Sequence, residues 1–123
     1  MKVRGLFLIA VVLLLALPAG AGDKLSMKVS PAIAFAPANL VVRAYVTADS
    51  DNRSIEVIAE SPDFYRSSQM QLDGDKAPHT NVFEFRSLPT GTYQVRAVLI
   101  GSQGQRALVR SEVNVMASGA GDH

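Results

Sequence analysis

The sequence predicts an all-β fold, a Greek-key sandwich of two sheets and about seven strands, and three observations carry the prediction. Beyond the first 21 residues no window sustains an apolar period of 3.6, whereas alternation with period two recurs. Clusters of Gly, Pro, Asp, Asn and Ser break the alternating runs roughly every eight to twelve residues. The best-defined pair of runs, YQVRAVLI and ALVRSEVNVM, flanks a Gly-rich turn.

The first 21 residues are set apart. MKVR is a basic start, GLFLIAVVLLLALP is an apolar run, and AGA at Ala19–Ala21 is a small-x-small cleavage site. Together they form a signal peptide over residues 1–21, with an uncleaved anchor as the alternative. The run is shorter than the roughly 20 apolar residues that span a bilayer, which favours cleavage and leaves no membrane span. Removing Lys2 and Arg4 leaves ten Lys plus Arg against eleven Asp plus Glu, so the formal charge moves from +1 to −1. A nearly neutral domain without a basic run has no electrostatic footprint for nucleic acid. The chain has no cysteine, which excludes disulfides and Cys-based metal sites, so the domain over residues 22–116 relies on its apolar core. Export together with the lack of cysteine points to a periplasmic or extracellular bacterial protein. Residues 117–123 read as a disordered polar tail.

Each element follows from its own pattern. KLSMKVS alternates Leu25, Met27 and Val29 against Lys24, Ser26 and Lys28. Pro31 interrupts, as suits an edge strand that changes partner, before AIAF resumes with Ile33 and Phe35. LVVRAYVT places Leu40, Val42, Ala44 and Val46 on one face, and DSDNRS is the turn that follows. IEVIAE turns Ile55, Val57 and Ala59 inward and Glu56, Ile58 and Glu60 outward. A weaker strand runs through FYRSSQMQL to a turn at DGD, and NVFEFRSL alternates Phe83 and Phe85 against Glu84 and Arg86. In the last hairpin a three-residue loop, Ser102–Gly104 with Gly104 left-handed, pairs Gly101 with Gln105 and Val98 with Leu108.

The stretch LPTGTYQVRAV, Leu88–Val98, resembles the corner of fibronectin type III and bacterial immunoglobulin-like domains, where a leucine, a Gly turn and a tyrosine precede an alternating strand. The resemblance implies an immunoglobulin-like sandwich. It makes Leu88, Gly91 and Tyr93 structural, the tyrosine hydroxyl bonding back to the corner backbone. The same residues also look like the corresponding corner of carboxypeptidase-regulatory-like and transthyretin-like seven-stranded domains. The tryptophan of immunoglobulin-like cores is absent, and Val95 stands where antibody domains have a cysteine.

For catalysis the sequence offers no nucleophile–base pair, no phosphate loop and no dinucleotide fingerprint, and the expectation is a chain that is not an enzyme and carries no cofactor. Its histidines, His79 in a turn and His123 at the end, have no metal-ligand spacing. Two acidic loops bring oxygen ligands together: Asp49 and Asp51, and Asp73 and Asp75. They are candidate calcium ligands, although such residues are also good turn formers. Phe64 and Tyr65 on a polar stretch are a candidate glycan contact, or a cap on the end of the core. The outward face of the last hairpin gathers Val98, Ile100 and Leu108, with Ile58 alongside and Arg96 opposite Arg110. Branched aliphatics beside two arginines can dock a protein or a carboxylate. The function expected is therefore a non-catalytic exported binding or structural module of the cell envelope, meeting an envelope or secreted protein through a sheet face. A calcium- or carbohydrate-binding module is the alternative.

Overall fold

The computed structural model describes residues 24–118, and both the signal-peptide segment and the end of the C-terminal tail, with His123, lie outside these described residues. Eight strands form two sheets: β1 (Leu25–Ser30), β2 (Ile33–Phe35), β3 (Ala38–Val46), β4 (Asn52–Ser61), β5 (Phe64–Gln71), β6 (Thr80–Leu88), β7 (Gly91–Gly101) and β8 (Gly104–Met116). A single 3-10 turn, Gly74–Lys76, sits between β5 and β6. One sheet has the order β1-β3-β6, the other β2-β8-β7-β4-β5. Among the described residues no helix is long and apolar enough to cross a membrane.

The alternation read from sequence sets which side chains fill the space between the sheets. Leu40, Val42 and Ala44 of β3, Ile55, Val57 and Ala59 of β4, and Phe83 and Phe85 of β6 are buried, while the residues between them turn outward. Val95, Ala97 and Leu99 of β7 face the same core, joined by Val109, Val113 and Val115 of β8. Side chains from two inner faces that interdigitate in this way account for the driving force of a cysteine-free domain.

Two features depart from the pattern. The N-terminal run is two strands, not one, because the chain changes sheet at Pro31: β1 pairs antiparallel with β3, whereas β2 pairs in parallel with β8. The switch inverts the parity of AIAF. Ala34 and Ala36 pack on the core, and Ile33 and Phe35 stand outside at 61% and 63% exposure. In the last hairpin Val98 does pair with Leu108, but Gly101 pairs with Gly104 rather than Gln105. The loop is one residue tighter, and a bulge between Ala107 and Gln105 leaves Arg106 outside the ladder, which restores the register beyond it. Gly104 takes φ +105°, the left-handed conformation expected of it.

The corner between β6 and β7 takes the chain from the smaller sheet to the larger. Tyr93 is fully buried, and its hydroxyl donates to the Pro89 carbonyl at 2.7 Å. Leu88 is buried beside it. Gly91 is held close, since a Cβ there would lie 3.2 Å from the Ser61 Cβ.

Candidate functional site

Pairing along β4, β7 and β8 determines what the larger sheet shows to solvent. Val98 lies opposite Leu108 on one side and Glu56 on the other, and Arg96 lies opposite Arg110 and Ile58. Val98, Ile100 and Leu108 are half-buried, and Ile58 is nearly covered at 8% exposure. Ile58 is absent from the cluster between the sheets, so its burial comes from neighbours on the outer face. All six residues singled out from the sequence therefore share one surface.

Glu60, not Glu56 or Glu112, holds Arg96: Nη1 donates to Oε1 at 3.1 Å. Glu112 instead accepts from the amide of Gln94 at 3.2 Å. Among the described residues Arg110 has no ion-pair or hydrogen-bond partner for its side chain, and it is exposed. An open dent of about 430 Å³ lies beside the Arg96–Glu60 pair, lined by Ser61, Pro62, Thr92 and Gln94 as well.

Farther along the same face sequence reasoning missed a second apolar group. Phe35 lies opposite Met116 and Ile33 opposite Asn114, and Met116 is 50% exposed. An open groove of about 360 Å³ runs between Ile33, Thr92, Asn114 and Met116. The signal that would have found them is Pro31, once it is understood that a strand changing sheets can invert its parity.

The aromatic pair does not form a platform. As adjacent residues of one strand, Phe64 and Tyr65 point to opposite faces. Phe64 meets the Tyr93 ring edge-on, with centroids 6.2 Å apart, and the Arg66 guanidinium sits 5.0 Å from its ring centre. Tyr65 is exposed on the outer face, opposite Glu60.

The two acidic loops adjoin at one end of the sandwich, where a Cβ on Gly74 would lie 3.1 Å from the Ser50 carbonyl. Asp49 and Asp51 are turned to a cation of the chain itself. Arg106, freed by the bulge, reaches Asp49 Oδ2 at 3.0 Å and Asp51 Oδ2 at 3.6 Å, and it also donates to Asn52 Oδ1. The Ser102 hydroxyl donates to Asp51 Oδ1 at 2.6 Å. Asp49 is held below the ordinary carboxylate value first by the Asp51 backbone N–H and then by Arg106. Asp51 is lowered first by the Ser102 hydroxyl and then by its backbone N–H. Asp73 precedes the 3-10 turn and Asp75 lies within it. His79, exposed, places Nδ1 3.2 Å from the Val46 carbonyl. Among the described residues no three His, Cys, Asp or Glu converge as a metal site would require.

No family model matches this chain, and no curated protein does either. Solved structures do. A superoxide reductase (neelaredoxin) from Ignicoccus hospitalis matches with a TM-score of 0.55 at 13% identity, over 78% of this chain and 81% of that one. A variant of that protein reaches a TM-score of 0.58 at 14% identity, over 80% and 83%. A family 76 glycoside hydrolase from a bovine Bacteroides thetaiotaomicron strain matches with a TM-score of 0.52 at 15% identity, over 74% of this chain but 20% of the hydrolase. At these identities the likeness is one of fold.

These neighbours correct three expectations. The fibronectin type III-like and immunoglobulin-like resemblance, with its carboxypeptidase-regulatory-like and transthyretin-like runner-up, gives way to superoxide reductase domains as the structures that share this arrangement. The physical reason is that a buried tyrosine meets a local need wherever a chain crosses between sheets, so the motif reports the crossing and not the family. The expectation that the chain is not an enzyme also falls, because this fold carries an enzyme. It rested on missing nucleophile, phosphate-loop and dinucleotide motifs, and redox chemistry at a bound metal requires none of them. The expectation of no cofactor, calcium aside, falls with it, on the same likeness of fold. The described residues do not compose a metal-binding set: the chain lacks cysteine, no three His, Cys, Asp or Glu converge among them, and Asp49 and Asp51 are engaged by Arg106.

Proposed function

We propose that the chain is an exported protein of the cell envelope, periplasmic or extracellular, that binds another envelope or secreted protein through the outer face of its larger sheet. The basic start, apolar run and small-x-small site of residues 1–21 support export. One observation carries the binding reading: that face presents two apolar groups, Val98–Ile100–Leu108 and Ile33–Phe35–Met116, and between them Arg110, whose side chain has no partner among the described residues. Exposed apolar side chains grouped on one face mark contact surfaces, and an unpaired guanidinium adds a directional partner for a carboxylate.

The test uses a photo-crosslinker placed at Gln94, expressed with the chain in its own cell. The expected result is one dominant adduct outside the cytoplasm, formed by a chain that begins at Gly22. Leu108→Glu and Phe35→Ser should each reduce that adduct severalfold while leaving the circular dichroism spectrum intact. An adduct of undiminished yield in both variants would sink the proposal.

A further inference from the structure

The four sheet edges are not protected alike. β2 is three residues long and lies between Pro31 and Pro37. β1 carries Lys28 and ends before Pro31. β6 carries the Glu84–Arg86 ion pair at 2.9 Å. Short length, proline, lysine and charge pairs are the devices by which edges avoid pairing with other chains. β5 is long and has no proline, lysine or ion pair. It runs eight residues, FYRSSQMQ, in unbroken register with β4, and its other edge is free among the described residues. Its one charge, Arg66, is spent within the chain, donating to the Arg86 carbonyl at 2.7 Å and stacking over Phe64. Beyond Phe64 the smaller sheet leaves its inner side uncovered, so that Met70 is 37% exposed.

We propose that β5 is a self-pairing edge, and that two copies of this chain join there antiparallel, about a two-fold axis through Ser67, into one ten-stranded sheet. The register follows from the residues. In an antiparallel ladder opposed residues face the same side, so like parities must meet. An axis at Ser67 sets Phe64 opposite Met70 of the second copy, Tyr65 opposite Gln69, and Arg66 opposite Ser68. The half-buried ring thereby gains a thioether on the inner side, a favourable contact. An axis at Arg66 would set two guanidinium groups face to face, and one at Ser68 would leave Phe64 unmatched. The outward set, Tyr65, Ser67, Gln69 and Gln71, is uncharged, so nothing on that side repels a second copy. A closed two-fold pairing consumes the edge on both copies and stops at a dimer.

Because the chain has no cysteine, a single introduced thiol reports the axis cleanly. Ser67→Cys should give a disulfide-linked dimer under mild oxidation, much faster than Val82→Cys on the exposed face of the other sheet. Light scattering of the unmodified protein should give twice the mass of one chain. Ser67→Lys, which opposes two like charges at the axis, should shift it to monomer with an unchanged far-ultraviolet spectrum. If Ser67→Lys fails to fold, the Ser67→Cys cross-link decides alone. A monomeric wild type, a dimer that survives Ser67→Lys, or equal cross-linking at Val82 would overturn the proposal. Leu108→Glu lies on another surface and should leave the dimer intact, so failure here is distinct from failure of the partner reading.

Discussion

Replacing Tyr93 by Phe removes one oxygen from the corner between β6 and β7 and leaves the rest in place. The lost interaction is the hydroxyl's 2.7 Å hydrogen bond to the Pro89 carbonyl. A typical hydrogen bond contributes about 0.5–1.5 kcal/mol net, and a buried acceptor left unsatisfied adds a desolvation penalty. Pro89 is exposed, so water can serve its carbonyl and most of that penalty is avoided. The expected cost is therefore about 1 kcal/mol, which for a domain of about a hundred residues lowers Tm by roughly 4–8 °C. Tyr93→Ala, which also empties the ring's site in the core, should cost about 3–5 kcal/mol. Thermal and urea unfolding followed by circular dichroism measure both. The alkaline limb supplies an internal control. Burial raises the Tyr93 hydroxyl above its ordinary value of 10.0, so the folded state keeps that proton more tightly than the unfolded state. Its contribution is fully present below the ordinary value and is lost as pH rises through the folded one. Tyr93→Phe should lack this limb. A Phe variant that melts with the wild type and shows the same alkaline profile would refute the reasoning about the corner.

Two further outcomes concern the opposite end of the sandwich. Gly101→Ala would bring a Cβ within 2.5 Å of Asp51 Oδ2 and 2.8 Å of the Asp51 backbone oxygen. Overpacking against backbone should destabilise by about 1–3 kcal/mol, read as a lower urea midpoint at constant slope. Asp49 and Asp51 are both held below the ordinary carboxylate value of 3.8. Their stabilisation is present above that value and is lost as pH falls through the folded ones, so Asp51→Asn should flatten the loss of stability as pH falls below the ordinary carboxylate value.

Most of the strand content was legible in the sequence because a sheet with one buried face writes period two into the chain. The alternation of β3, β4, β6 and β7 and the facing of Val98 and Leu108 needed no more than that. The outer-face group of Ile58, Arg96, Val98, Ile100, Leu108 and Arg110 followed, since parity decides which residues share a side. Parity does not say whether a strand stays in its sheet, and here the reading of Ile33 and Phe35 failed. Partners were equally out of reach. Glu60 and not Glu56 or Glu112 answers Arg96, and Arg106 occupies the acidic loop that looked like a cation site, because a one-residue bulge redirected it.

The sequence by itself determined the alternation of most strands and the place of Tyr93 at the corner, since both can be read from residues a few positions apart. Only the tertiary structure decided that β1 and β2 belong to different sheets, that Asp49 and Asp51 meet Arg106, and that β5 has no outer neighbour among the described residues. Those facts depend on which strands lie side by side, and a hydrophobic pattern specifies how much surface each strand must bury without naming the strand that covers it.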